Sequence, residues 1–226
     1  IMKILAIETA TEACSAALEI DNSCMYRHEI APRKHTELIL PMIDSLLKEA
    51  DIKVNSLDVI ALGCGPGAFT GVRIAIGIAQ GLALPFDIPV IPVSTLAALA
   101  QQFSKDYNYV ATAIDARMKE IYWGLYKKNS SNIMEKVIKE SVCLPSNISS
   151  PTKNEWFGAG TGWKIYSEEI RSKFKCNIID FKNDVYPHAK DIIELAKPAY
   201  RDGKFISAEQ VSPIYLRNNV VNQENR

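Results

Sequence analysis

The chain has 226 residues, 47% hydrophobic and 23% charged, which fits one large domain or two lobes of roughly 100 residues each. Its 26 basic side chains are matched by 26 acidic ones, so there is no clustered cationic footprint for nucleic acid. Five scattered cysteines (Cys14, Cys24, Cys64, Cys143, Cys176) form no CxxC pair, no apolar run is expected to reach the roughly 18 residues of a membrane span, and no membrane partner is indicated.

In chain order, residues 3–7 and 14–20 read as compact apolar strands, with a third at 25–30, together a meander. The opening KILAIE is too short for a secretory signal and is broken by Glu8, so the expected compartment is the cytoplasm. A helix follows from His35 and Thr36, with Leu38, Ile39, Met42, Ile43, Leu46, Leu47 and Ala50 as a wide apolar stripe. Pro41 must lie in its first turn or kink it. Residues 59–63 form a buried strand that runs through a glycine-proline-glycine turn into a glycine-rich helix over 70–84, closed by Pro85. A short strand at 89–93 then precedes a helix over 95–102, capped by Ser94.

After SKDYN the pattern starts again. Strands are predicted at 109–114, 120–126 and 137–143, a loop at 145–155, a second glycine turn (GAGTGW) within 156–163, helices at 167–174 and 189–199, and a short strand at 177–180. The tail from 212 carries one apolar anchor, Ile214-Tyr215-Leu216. Strands, helix, strand and helix, once and then more loosely again, predict two related α/β lobes of mixed sheet, divided near residues 102–108.

Few residues support catalysis. No GxSxG elbow exists for a serine nucleophile, and His28, His35 and His188 form neither HxxxH nor HExxH. The glycines at 63, 65, 67 and 71 fit neither GxxxxGK[ST] nor GxGxxG, and Arg73 is the nearest cation. The loop therefore serves either weak anion binding at a helix start or a tight structural turn. Glu8 and Thr9 end the first strand, and Asp115 and Arg117 occupy the equivalent turn of the second lobe. Such carboxylates either hold Mg²⁺ or orient a water beside a cleft, or simply make turns; an Asp115–Arg117 contact would brace the hairpin.

The segments KILAIETATEACSAAL, RKHTELILPMI, ALGCGPGAFTGVRIAIGIAQGLAL, IPVIPVSTLAALA, DARMKEIYWGLY and PIYLRN together resemble the TsaB (YeaZ) family of bacterial threonylcarbamoyladenosine synthesis. The resemblance implies an actin/hexokinase/Hsp70-like α/β fold of two ribonuclease-H-like lobes. Residues 1–104 would form the N-terminal lobe with its docking helices, and 105–226 a degenerate C-terminal lobe and tail. It also implies a non-catalytic subunit that binds and activates the related TsaD as a heterodimer, joined by the ATPase TsaE, with tRNA reached indirectly through that complex. A homodimer is expected when the chain is alone. Thr95 and Leu99 stand where TsaD carries its two metal-binding histidines, so no metal is implied; no cofactor is required, and ATP or ADP would enter only at the joint with TsaD.

The interface implied by that resemblance comprises Leu38, Ile39, Met42, Ile43 and Leu46 of the first helix with Gly71, Ala75, Ile78, Ala79 and Leu82 of the second. The row Gly71, Ala75, Ala79 at i, i+4, i+8 would permit close helix approach. The alternative reading is a nucleotide-binding ATPase or phosphotransfer enzyme of the actin-like superfamily using the interlobe cleft, with Glu8, Thr9, Asp115 and Arg117 as its vestigial or working site.

Overall fold

The computed structural model of the chain describes residues 2–217. Strands β1 (Lys3–Glu8), β2 (Ala13–Ile20) and β3 (Ser23–Ile30) form an antiparallel meander, and β4 (Val59–Gly63) and β5 (Val90–Val93) add in parallel on the other side of β1. The resulting order is β3-β2-β1-β4-β5. The second sheet contains β6 (Tyr109–Asp115), β7 (Ile121–Lys128), β8 (Met134–Lys136), β10 (Glu155–Ala159) and β11 (Asn177–Lys182), with β9 (Ser141–Cys143) also paired to β7. Its order, β8-β7-β6-β10-β11, repeats that of the first sheet. The chain is thus an α/β protein of two ribonuclease-H-like lobes. Of the expected strand over 137–143 only β9 is a strand; β8 precedes that range, and Val137 between the two donates to the Leu125 carbonyl.

The β1 and β4 strands are buried on both faces, as a central position demands. On one face Leu5, Ile7, Leu18, Ile60 and Leu62 pack against helices α1 (His35–Glu49) and α2 (Phe69–Ala83). On the other, Ile4, Ala6, Val59 and Ala61 meet Ile192, Ile193 and Ala196 of α5 (Ala189–Arg201). In the second lobe, α4 (Thr161–Lys173) sets Trp163 and Ile170 against Ala111, Ala113 and Trp123. Helix α3 (Thr95–Gln101) brings Leu96, Leu99 and Ala100 to the opposite face, beside Val110, Ile114 and Tyr126.

This arrangement alters the division expected from sequence. Residue 104 falls between the two sheets, but each lobe lends a helix to the other: α3 covers the second sheet and α5 the first. Side-chain bonds fix both crossings. Ser94 caps α3 by accepting from the Ala97 N–H at 3.3 Å, and its hydroxyl donates to the buried Glu140 at 2.6 Å. The Ala189 N–H donates to Ser15 Oγ at 3.0 Å, and Lys197 pairs with Glu19 at 3.2 Å. Residues 105–217 therefore do not form an independent unit, because α5 completes the first lobe's core. Pro41 sits inside α1 on the exposed side rather than in the first turn.

The seat of α2 on the first sheet is set by a single close approach. The Thr9 hydroxyl donates to the Gly71 carbonyl at 2.7 Å, and a Cβ on Gly71 would lie 2.1 Å from the Thr9 carbonyl oxygen. At Gly77, by contrast, a Cβ would meet nothing within 4 Å. Gly71→Ala must push the helix off the sheet and should cost about 3 kcal/mol, lowering the melting temperature by roughly 5–10 °C. Gly77→Ala should raise it, because alanine is about 0.5–1 kcal/mol better than glycine in a helix. Thermal denaturation of the two variants checks the pair; equal effects would mean that α2 is seated differently.

Candidate docking site

Helices α1 and α2 lie together over one face of the first sheet, and the contact at Gly71 determines which of their residues face outward. Ile39, Ile43 and Leu46 of α1 and Gly71, Ala75 and Ala79 of α2 are buried in the protein's own core. These six were expected to meet a partner; in this structure their faces are filled by the sheet. A charge at Ile43 or Ala75 would consequently test folding, not docking. Leu38, Met42, Ile78 and Leu82, also expected at an interface, are half-buried on the outer margin of the same core.

The outward surface is a different row of α2. Phe69, Arg73, Gly77 and Gly81 follow one another at i+4 spacing and are all exposed. Ile74, Ile78 and Leu82 flank them, half-buried. Phe69 (55%), Leu84 (46%) and, on α1, Leu40 (50%) expose large apolar side chains. Added Cβ atoms at Gly77 and Gly81 would both enter open space, so a second helix can approach this backbone closely. Two rows that carry small residues, Gly71/Ala75/Ala79 and Gly77/Gly81 behind Arg73, share the same spacing in sequence. Only the three-dimensional contact with Thr9 shows which one is turned inward.

The same helix overturns the expectation about apolar length. Phe69–Phe86 is an 18-residue segment with mean hydropathy 1.4, long and apolar enough by composition to cross a bilayer, yet only 33% of it is buried here. In the fold it is α2 and its short extension, packed along one side on the sheet. Its other side leaves apolar surface in solvent, which usually signals an interaction site.

The glycine loop before α2 is tied down rather than open. Cys64 N–H donates to Val93 O at 2.9 Å, Thr95 N–H to Gly65 O at 2.9 Å, and Ala68 N–H to Ala10 O at 2.7 Å. Gly65 has φ +102, a conformation that only glycine adopts freely. Across the loop runs the terminal segment, whose Ile214 N–H donates to Cys64 O at 2.8 Å. These bonds are those of a structural turn.

The four expected cleft residues do not converge on an open site. Glu8 and Thr9 are fully buried. Glu8 Oε1 accepts from the Ala10 N–H at 2.6 Å, while its Oε2 has no partner and lies over Gly63, where a Cβ would come within 2.0 Å. Asp115 is held by Arg117 at 3.2 Å and accepts from the Arg117 N–H at 3.0 Å, the expected hairpin brace. Arg117 also reaches Glu12 of the first lobe at 3.4 Å. Two surface hollows of about 400 and 330 Å³ are lined by other residues. Thr95 and Leu99 are buried, Leu99 against Gly160, so the positions that the resemblance aligns with TsaD's histidines carry one enclosed hydroxyl and one alkyl group. Among the described residues no group of three or more His, Cys, Asp or Glu could hold a metal ion. His35 is buried, and its Nε2–H donates to the Ala13 carbonyl at 3.2 Å, a tether for the start of α1.

Burial pushes the Glu8 carboxyl up from 4.5 to about 7, against the smaller opposing pull of the Ala10 and Thr9 backbone N–H groups. The unfolded chain ionises near 4.5 and the folded one near 7, so the associated stability is fully present below pH 4.5 and is lost as pH rises to about 7. Glu8→Gln removes this titration while keeping the carbonyl acceptor for Ala10. Between those limits the stability difference should move by about 3 kcal/mol in favour of the variant. Denaturant unfolding at several pH values measures it, and a difference independent of pH would show that Glu8 is solvated.

Comparison with known proteins agrees with this architecture. The family model TsaD, described as tRNA N6-adenosine threonylcarbamoyltransferase, matches residues 28–224. The tRNA threonylcarbamoyladenosine biosynthesis protein TsaB of Escherichia coli (strain K12) is 40% identical, covering 97% of this chain and 96% of that protein. The TsaB of Haemophilus influenzae is 41% identical, covering 97% and 95%. The solved structure of YeaZ from Pseudomonas aeruginosa superimposes with a TM-score of 0.89 at 42% identity, covering 96% of this chain and 100% of that one. A second structure, described as an uncharacterized protein with similarity to peptidase YEAZ from Pseudomonas aeruginosa, gives the same values. With two lobes of matching strand order and relatives that align along nearly their whole length, the chain belongs to the TsaB family of tRNA threonylcarbamoyladenosine biosynthesis proteins, within the wider TsaD family.

Proposed function

We propose that this protein is a non-catalytic subunit of tRNA threonylcarbamoyladenosine synthesis, which docks on TsaD through the outward face of α1 and α2 and activates it. In this reading TsaD transfers the threonylcarbamoyl group to N6 of adenosine 37, TsaE joins the assembly, and tRNA is engaged mainly by the other components. The observation that carries the reading is the uncovered side of α2. An apolar helix with two glycines facing solvent is costly for an isolated monomer and suited to tight helix–helix contact.

Activation then follows from differential binding: the docked face favours the partner conformation that is competent for transfer. The chain itself needs no cofactor, and ATP or ADP enters only at the joint between subunits. The enclosure of Glu8 and Thr9 and the pinned glycine loop support this, since phosphate contacts require reachable donors. Alone, the protein is expected to pair with a second copy through the same apolar surface, and it works in the cytoplasm with its tRNA substrate.

Size-exclusion chromatography of the chain mixed with TsaD from the same genome is the direct test. The two should co-elute, and addition of the chain should raise threonylcarbamoyl transfer by TsaD. Gly77→Trp, which projects into solvent in the monomer, should abolish both effects and leave the melting temperature within a few degrees of wild type. Co-elution and activation that survive Gly77→Trp would move the interface elsewhere.

A further inference from the structure

Arg73 stands on the outward row of α2, and its guanidinium is held in place before any partner arrives. Its Cζ lies 3.5 Å from the centroid of the Phe69 ring, and its Nε–H donates to the Tyr215 hydroxyl at 2.9 Å. The Tyr215 and Phe69 rings are stacked, with centroids 5.8 Å apart and planes 20° apart. Tyr215 is itself fixed by the terminal segment. Ile214 is bonded to Cys64 on one side, and Arg217 donates to the Ala116 carbonyl at 3.2 Å and pairs with Glu120 on the other.

Among the described residues this brace serves no ion pair. Arg27 meets Glu49, Arg117 meets Glu12 and Asp115, and Arg217 meets Glu120. Among the described residues no carboxylate pairs with Arg73. With Nε engaged by Tyr215, the two terminal Nη groups remain as a planar fork, the geometry that takes a carboxylate in a bidentate manner. Stacking and the Nε bond have already removed much of the side chain's freedom, so less entropy is lost when that fork is engaged. An arginine lying over the half-exposed Phe69 ring and bonded to the half-exposed Tyr215 also has the composition of an interface hot spot.

We infer that Arg73, preset by Phe69 and Tyr215, is the anchor for an Asp or Glu side chain of the docking subunit. The inference rests on the docking reading above and adds its polar contact: a partner helix lying along Gly77 and Gly81 approaches closely enough for a short acidic side chain to reach the fork. A protein carboxylate is favoured over an RNA phosphate because Arg73 is the lone cation between residues 61 and 90. Nucleic-acid surfaces require several cations together. The terminal segment thereby acquires a role in recognition: it orients the anchor through a single hydroxyl.

Isothermal titration of TsaD from the same genome into wild type, Arg73→Gln, Tyr215→Phe and Gly81→Trp, at low and high salt, tests the inference. Arg73→Gln should weaken binding about tenfold or more and reduce the salt dependence. Tyr215→Phe should weaken it by roughly two- to fivefold through the lost brace, and Gly81→Trp should abolish it. Wild-type affinity for Arg73→Gln together with loss of binding for Gly81→Trp would refute the anchor and leave the docking face standing. Wild-type affinity for all of them would refute the docking reading itself. If Arg73→Gln left TsaD affinity unchanged but weakened retention of tRNA by the assembled complex, the fork would be a phosphate contact and the inference would fail.

Discussion

The seating of α2 on the first sheet governs both the stability and the exposed chemistry of this protein. Gly71 touches the Thr9 backbone, and the Thr9 hydroxyl holds its carbonyl. That contact directs Ala75 and Ala79 inward to complete the core and leaves Arg73, Gly77 and Gly81 in solvent. A rotation of the helix by two residue positions, about 200°, would exchange these surfaces. The same strand end that supplies Thr9 also carries Glu8, so the residues that would contact a nucleotide in an open cleft are here part of the foundation of a helix.

The exchanged helices tie the two lobes together. Helix α3 leaves the first sheet to cover the second, and α5 returns from the second to cover the first. Arg117 to Glu12 and the strap through Ile214 and Arg217 add polar ties between the β6–β7 hairpin and the glycine loop. Lobe opening of the kind needed to admit and release a nucleotide would have to break these contacts. A fixed frame suits the proposed role of presenting a surface to a partner.

Much of this was legible in the sequence, and what was not has physical causes. Apolar periodicity revealed the meander, helices α1 and α2 and the doubled lobe, because each signal is local. The split of 134–143 into two short strands escaped notice, since three-residue strands carry too few residues for a period. Which sheet α3 and α5 cover was also hidden: an amphipathic stripe records that a face is buried, not against what. The outward face of α2 was half readable for a related reason. Gly71, Ala75 and Ala79 and Arg73, Gly77 and Gly81 are equivalent in spacing, and the choice between them depends on a backbone contact with residue 9. Glu8 and Asp115 were recognisable as strand-end carboxylates, but the depth of Glu8 and the Asp115–Arg117–Glu12 chain are tertiary facts. Arg73 appeared only as the nearest cation to a glycine loop; its brace comes from Tyr215, far along the chain.

The most direct measurement of the central claim is hydrogen–deuterium exchange of this chain with and without TsaD. If the outward side of α1 and α2 is the functional surface, peptides spanning 35–49 and 69–86 should gain protection on mixing, while those of β8, β9 and the 145–155 loop remain unchanged. Protection confined to the second lobe, with 69–86 exchanging as in the free protein, would contradict the account.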